Sequence, residues 1–191
     1  MVKCPKELKV DLSDGTLPGD LSAQCCPDCQ GAWIRPESYT EWQHQLGIDL
    51  DAEPEVAVVP SQAPISFQPS SLDNRAALCP DCKNYLVRGR VQLSDVMFFV
   101  ERCPNCRGYW CDRGEWEVLQ QLQLDKHLEY IFSDQWQSKV KALDFAAREK
   151  TATIDKLGSE IANKVFELAQ LLEAHPEGDF GVAYLMRRFE E

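Results

Sequence analysis

Two Cys-Pro-x-Cys turns constrain this chain more than any other feature. Cys79 and Cys82 are separated by two residues, as are Cys103 and Cys106, and twenty residues lie between the pairs. Two thiolates at that spacing fit on one tight turn and take adjacent corners of a Zn²⁺ tetrahedron. Pro80 and Pro104 pre-set φ inside each turn, and Gly108 follows the second turn, where a positive φ is expected to cost least. Between the pairs, residues 85–93 and 96–102 are rich in β-formers and meet at Ser94-Asp95, which predicts an antiparallel hairpin. The expected product is a zinc ribbon with Cys79, Cys82, Cys103 and Cys106 as the ligands of one Zn²⁺. Four thiolates close the coordination shell and leave no position for water or substrate, so the expected site is structural and not catalytic.

The run C-P-D-C followed by C-P-N-C-R-G-Y-W-C-D-R-G-E resembles the zinc ribbons named after transcription factor IIB, in their small bacterial-type form. On that resemblance the four cysteines match the family's zinc ligands. Gly108, Trp110, Asp112, Gly114 and Glu115 match the tail through which the ribbon passes into a helix. Members of this type are mostly without an assigned biochemical role, so the resemblance implies a fold and a metal more than a function.

Residues 1–34 echo the central stretch. Cys4-Pro5 precedes a turn-rich segment, and C-P-D-C-Q-G-A-W then runs from Cys26 to Trp33. In register with the later copy, Cys4 matches Cys79, Cys26 matches Cys103, Cys29 matches Cys106, Gly31 matches Gly108 and Trp33 matches Trp110. This reads as an internal repeat, a second ribbon. It departs at one position that matters: Glu7 stands where Cys82 stands in the later copy. Three readings compete. Glu7 supplies an oxygen to a second Zn²⁺ held by Cys4, Cys26 and Cys29; or Cys25 or His44 completes the site; or the copy is degenerate and metal-free, its shape kept by the core around Trp33. Cys25 directly precedes Cys26, and neighbouring strand residues point to opposite faces. His44 lies in an expected short helix over 37–46, where a lone histidine is more often a surface residue than a ligand.

The rest of the chain divides by composition. Residues 1–48 form the first ribbon with its short helix. Residues 49–77 carry recurring prolines among serines and alanines and read as a linker, although 56–59 and 65–67 are too apolar for a purely solvated tether. The ribbon itself occupies 78–116, and 117–191 is expected to be helical. Asp112 and Glu115 stand in capping-box register before a run of apolar residues from Trp116 towards Phe132. Ser133 is the next N-cap, and Trp136, Val140, Leu143, Ala147, Ile154, Leu157, Ile161, Val165, Leu168 and Leu172 then follow a heptad seam. Thr151, Thr153 and Gly158 weaken its middle, leaving one long helix or a helical hairpin as alternatives. A last helix over 180–189 follows His175-Pro176.

Net charge is −11, and the ribbon stretch carries 6 basic against 5 acidic side chains. That is not the basic footprint of a nucleic-acid binder, nor does the acidity suit an anionic membrane surface. Arg88, Arg90, Arg102, Arg107 and Arg113 read as a solvated face balanced by Asp81, Asp95, Glu101 and Glu115. The start of the chain lacks the apolar run of an export signal, and the cysteine spacing suits metal binding in a reducing compartment, so a cytoplasmic location is expected. Cys111 takes the place of Ile34 in the first copy and reads as a small buried hydrophobe. His44, His127 and His175 belong to no catalytic constellation, and no glycine-rich phosphate loop is present. The expectation is an α+β protein: two small zinc β-ribbons followed by a helical half. Its expected role is non-catalytic, as a protein-interaction or assembly module with a protein partner or a homodimer through the C-terminal helix. Thiol-based redox or holdase chemistry through the CxxC cysteines is the first alternative, and transcription-linked nucleic-acid binding the second.

Overall fold

The computed structural model describes residues 2–48, 67–93 and 96–189. The apolar run 56–59 and the Ser94-Asp95 turn lie outside them. The chain forms two compact units, Met1–Lys141 and Ala142–Glu191.

In the first unit the two expected ribbons are halves of one antiparallel sheet. The strands are β1 (Ser13–Leu17), β2 (Leu21–Cys25), β3 (Ala32–Ile34), β4 (Val87–Leu93), β5 (Val96–Arg102) and β6 (Tyr109–Cys111). Their spatial order is β1-β2-β3-β6-β5-β4, the same sequence of repeats from either end. The seam is the β3–β6 pair, where Ala32 faces Cys111, Trp33 faces Trp110 and Ile34 faces Tyr109. Each ribbon alone offers three short strands and a thin core. Joining them at the seam removes two edges and doubles the buried face.

Helix α1 (Pro36–Gln45) follows β3, with Pro36 in the first turn, where its missing N–H is no loss. After β6 come α2 (Glu115–Gln121), a 3₁₀ turn (Asp125–His127), α3 (Leu128–Ile131) and α4 (Asp134–Leu157). The expected single run from Trp116 towards Phe132 is thus broken, at Gln123 with φ of 57°. Glu115 accepts the Asp112 amide at 2.7 Å, one half of the capping box, but the helix begins at Glu115 itself. Ser133 caps α4 as expected, its hydroxyl accepting the Trp136 amide at 3.1 Å. Tyr39 ties α1 to this region, donating to the Asp125 carbonyl at 2.6 Å and accepting the Leu128 amide at 3.0 Å. These elements bury Leu21, Ile34, Phe98, Tyr109, Trp116, Leu128 and Trp136 in one core. A second, smaller core holds Trp33 and Trp110 with Cys4, Cys26, Cys79 and Cys103.

Part of the expected linker belongs to this fold. Phe67 stacks edge-on against Phe98 with centroids 5.4 Å apart, and Asp73 accepts the Phe99 amide at 3.0 Å.

The second unit contains the end of α4, then α5 (Ser159–Glu173) and α6 (Gly178–Phe189). Gly158, at φ 76° and ψ 154°, separates α4 from α5. Lys150 Nζ lies 5.3 Å from the Phe166 ring centroid. A straight helix would hold residues sixteen apart at about 24 Å, so the chain turns back at Gly158. Gly178 and Gly181 admit Leu172 at distances no side chain would allow. No helix among the described residues is long and apolar enough to cross a membrane.

Candidate metal centre

The two second-ribbon turns bring Cys79, Cys82, Cys103 and Cys106 together, every sulfur within 4.8 Å of the others. Cys79 Sγ lies 3.4 Å from Cys106 Sγ, and Cys82 Sγ 3.3 Å from Cys103 Sγ. A disulfide would bring sulfurs to about 2.05 Å, and all four cysteines are free. A tetrahedron with Zn–S bonds of about 2.3 Å has edges of about 3.8 Å, so the cage is close to the size that zinc requires. Backbone amides prepare it for negative charge: the Cys82 amide donates to Cys79 Sγ and the Cys106 amide to Cys103 Sγ, both at 3.4 Å. As free thiols, Cys79, Cys82 and Cys106 differ. Hydrogen bonding from the Asn84 backbone amide leads the pull of Cys82 down to about 6, while burial pushes Cys79 and Cys106 up. Bound zinc replaces these separate equilibria with one, since all four must give up their protons to ligate it.

The positive φ at the second turn falls on Arg107, at 64°, and not on Gly108. In the first ribbon the same holds for Gln30, at 60°. The glycines serve a different purpose. A Cβ on Gly108 would stand 2.4 Å from Trp33 Cζ2, and one on Gly31 would stand 2.2 Å from Trp110 Cζ2. Each ribbon therefore receives the other's tryptophan against its own glycine, and both indoles are fully buried.

In the first ribbon, Cys4, Cys26 and Cys29 also converge, their sulfurs within 4.8 Å of one another, with Cys4 Sγ and Cys29 Sγ 3.6 Å apart. The turn hydrogen bonds repeat those of the later copy: Gln30 N to Cys26 O at 3.0 Å matches Arg107 N to Cys103 O at 3.0 Å. Glu7, Cys25 and His44 stand outside the group. Glu7 donates its amide to Cys4 Sγ at 3.1 Å while its carboxylate lies elsewhere. Cys25 packs against the larger core, and His44 is exposed on α1.

A third cluster was not legible in the sequence. Asp73, Asp112 and Glu115 bring buried carboxyl oxygens within 4.8 Å of one another, beside the buried Glu101. Into this group the first ribbon inserts Lys6, with 0% of its surface exposed. Its ammonium pairs with Glu101, lies 3.7 Å from Asp112 Oδ2 and donates to the carbonyls of Leu72 at 3.1 Å and Arg75 at 3.0 Å. Burial pushes the carboxyls of Glu101, Asp73 and Glu115 above the usual range. The single Lys6 ammonium does not offset that burial, which leads the shift in all three. Glu101 and Glu115 are therefore interior groups, and the expectation that they balance a surface of arginines is corrected. Arg88 and Arg102 lie instead over the rings of Phe99 and Phe132, each 4.7 Å from the centroid. Cys111 is buried as expected, and burial pushes its thiol far above the reactive range.

Residues 78–121 match the transcription factor zinc-finger family of the IIB-type zinc ribbon, and the four-cysteine cage fits that match. The match spans about a quarter of the chain and includes all four second-ribbon cysteines. Comparison with curated proteins and with solved structures gives no match.

Proposed function

We propose that this protein is a non-catalytic interaction or assembly module: a zinc-stapled sheet supplies the rigid base, and the C-terminal helical unit meets another polypeptide. A tetrathiolate cage suits the staple role because zinc that already has four sulfurs has no corner left for a substrate. The acidic net charge of −11 favours a protein partner over nucleic acid.

The observation that carries the reading is the surface of α5 and α6. Within the second unit Leu171 is 70% exposed and Phe180 71%, and Ile161, Val165, Leu168, Tyr184, Met186 and Phe189 are exposed as well. Ala162 and Gly178 are the residues of these two helices that are buried. Apolar surface gathered on one small helical unit marks an association site more often than a solvated face. A second copy of this chain is one form the partner takes, and the heptad spacing through Ile161, Val165 and Leu168 suits helix-on-helix packing.

Light scattering after size exclusion, together with capture on a C-terminally tagged full-length chain, tests this. Wild-type protein is expected to run as a multimer or to retain a stoichiometric protein partner. Leu168→Glu with Phe180→Glu is expected to abolish that association and leave zinc content unchanged. A wild-type monomer that retains no stoichiometric partner would sink the proposal.

A further inference from the structure

The first ribbon has three corners of a zinc site and a reason for lacking the fourth. Its second turn repeats the backbone hydrogen bonds of the second turn of the tetrathiolate cage, its first turn sets the Glu7 amide on Cys4 Sγ as the Cys82 amide is set on Cys79 Sγ, and Cys4, Cys26 and Cys29 lie as close to one another as a metal needs. At the fourth corner the backbone carries Glu7, whose carboxylate is not part of the group. The neighbouring Lys6 offers nothing to that corner, because its ammonium is turned inward onto Glu101 and two carbonyls.

The residue at the missing corner and one of the three cysteines border a cavity. Glu7 and Cys29 together line a cleft of about 630 Å³ whose other walls include Phe67, Leu72, Arg113 and Gly114. That volume lies in the range of small-ligand sites. Zinc with three protein ligands and an open position exchanges its fourth ligand, whereas four thiolates close it. We infer that the first ribbon holds a second Zn²⁺ through Cys4, Cys26 and Cys29, and that its fourth position accepts an exogenous thiolate from the Glu7–Arg113 cleft.

Thiolate is the favoured class for two reasons. Three sulfurs already present make a soft site, and soft donors complete it best. The trithiolate zinc carries one negative charge, so a further anion needs a nearby cation, and the Arg113 guanidinium on the cleft wall is one. In the binding step the incoming thiol gives its proton to solvent, and its sulfur lone pair forms the zinc–sulfur bond as a water leaves. No electron is transferred. This site goes beyond the interaction role proposed above and does not depend on α5 or α6.

Cobalt(II) substitution of the full-length protein reads both sites at once, because d–d absorption depends on how many sulfurs surround the ion. The expected result is a second equivalent of cobalt beyond the tetrathiolate one, with a spectrum that moves saturably towards the tetrathiolate form on titration with 2-mercaptoethanol. Glu7→Cys restores the missing Cys-x-x-Cys and is expected to make both spectra tetrathiolate and insensitive to added thiol. Glu7→Ala is expected to keep the thiol response. A single equivalent of cobalt in wild type would overturn the inference. So would a second equivalent that ignores thiol in wild type and responds only in Glu7→Ala, since Glu7 would then hold the corner itself.

Discussion

The two ribbons share a plan and solve it with opposite charges. At the third position of the first turn, the later ribbon has Asp81 and the earlier one Lys6. Just past the seam tryptophan, the later ribbon has Asp112 and the earlier one Arg35. The sheet's symmetric order brings these together crosswise. Arg35 lies 3.5 Å from Asp81, at 43% and 31% side-chain exposure, while Lys6 lies 3.7 Å from Asp112 with both side chains buried. The indoles follow suit: Trp33 donates to Asp81 at 2.9 Å across the pair, and Trp110 donates to Asp112 at 2.7 Å within its own ribbon. One half thus keeps four sulfurs and a wet ion pair. The other has one sulfur fewer and a buried ammonium, so its first turn is tied down by a buried charge group where its counterpart carries a second cysteine.

The largest effect should come from the metal. Structural zinc contributes an apparent ~10–16 kcal/mol in small zinc-dependent folds. Here β6 of the zinc ribbon is the strand that pairs with β3. Chelation, or Cys103→Ser, should therefore cost the order of both ribbons. Far-ultraviolet circular dichroism should report loss of sheet, and the fluorescence of Trp33 and Trp110 should shift together. Retention of Trp33 burial after zinc loss would break the idea that the halves fold as one.

Next is Lys6. Removing one partner from a buried charge group costs about 3–5 kcal/mol, because the remaining charges stay desolvated and uncompensated. Lys6→Met is expected to lower stability by that order in chemical denaturation with zinc held saturating. A loss comparable to that of an exposed pair would mean the carboxyl cluster neutralises itself with protons alone.

The glycines test whether the two cores are equivalent. Gly31→Ala and Gly108→Ala each drive a methyl into the partner's indole, and overpacking of this kind costs about 1–3 kcal/mol. Similar losses in thermal melts are expected from both. A loss confined to Gly108→Ala would show that only the second ribbon is tightly packed against its partner's indole.

What was legible beforehand follows from how local each signal is. The four second-ribbon cysteines, the hairpin over Val87–Leu93 and Val96–Arg102, and the Ser133 cap are short-range patterns whose physics fits within a few residues. The repeat was legible because Cys-Pro-x-Cys-x-Gly-x-Trp recurs. The joining of the ribbons was not, since the pairing of Trp33 with Trp110 spans the whole linker. For the same reason Gly108 was read through φ and Gly31 only as its repeat counterpart, when the meaning of both lies in a tryptophan from the other copy. Lys6 and Glu115 look like surface residues in sequence. A charge among charges in a polar turn carries no sign that Glu101, Asp112 and the 72–75 segment will close over it. The signal that could have found Lys6 was the departure at Glu7: a repeat that changes one ligand has changed its neighbour too.

The carboxyl cluster makes the comparison sensitive to pH. Burial first, then Asp112 and Asp73, raise Glu115 well above its ordinary value. The folded state therefore holds a proton that the unfolded chain releases near the usual carboxyl pKa. Its stabilising contribution is present in full below that value and is lost as pH rises through the folded one. Zinc works in the other direction, because its thiolates are reprotonated in acid. With zinc saturating, stability should fall towards alkaline pH, and Glu115→Gln, which mimics the protonated acid, should flatten that slope. An unchanged slope would remove Glu115 from the account.

The smallest effect belongs to the outer pair, and its smallness is the point. Arg35 and Asp81 have the same placement as Asp112 and Lys6 but remain in contact with water, where exposed ion pairs are worth about 0–1 kcal/mol. Arg35→Ala should change stability within that range, and added salt should erase the difference. Asp81→Asn should cost no more than Arg35→Ala, since an amide oxygen still accepts the bond from Trp33 Nε1, whereas Asp81→Ala removes that bond as well and should cost more. If Arg35→Ala rivals Lys6→Met, burial is not what separates the two pairs, and the contrast between a wet and a buried crosswise pair fails.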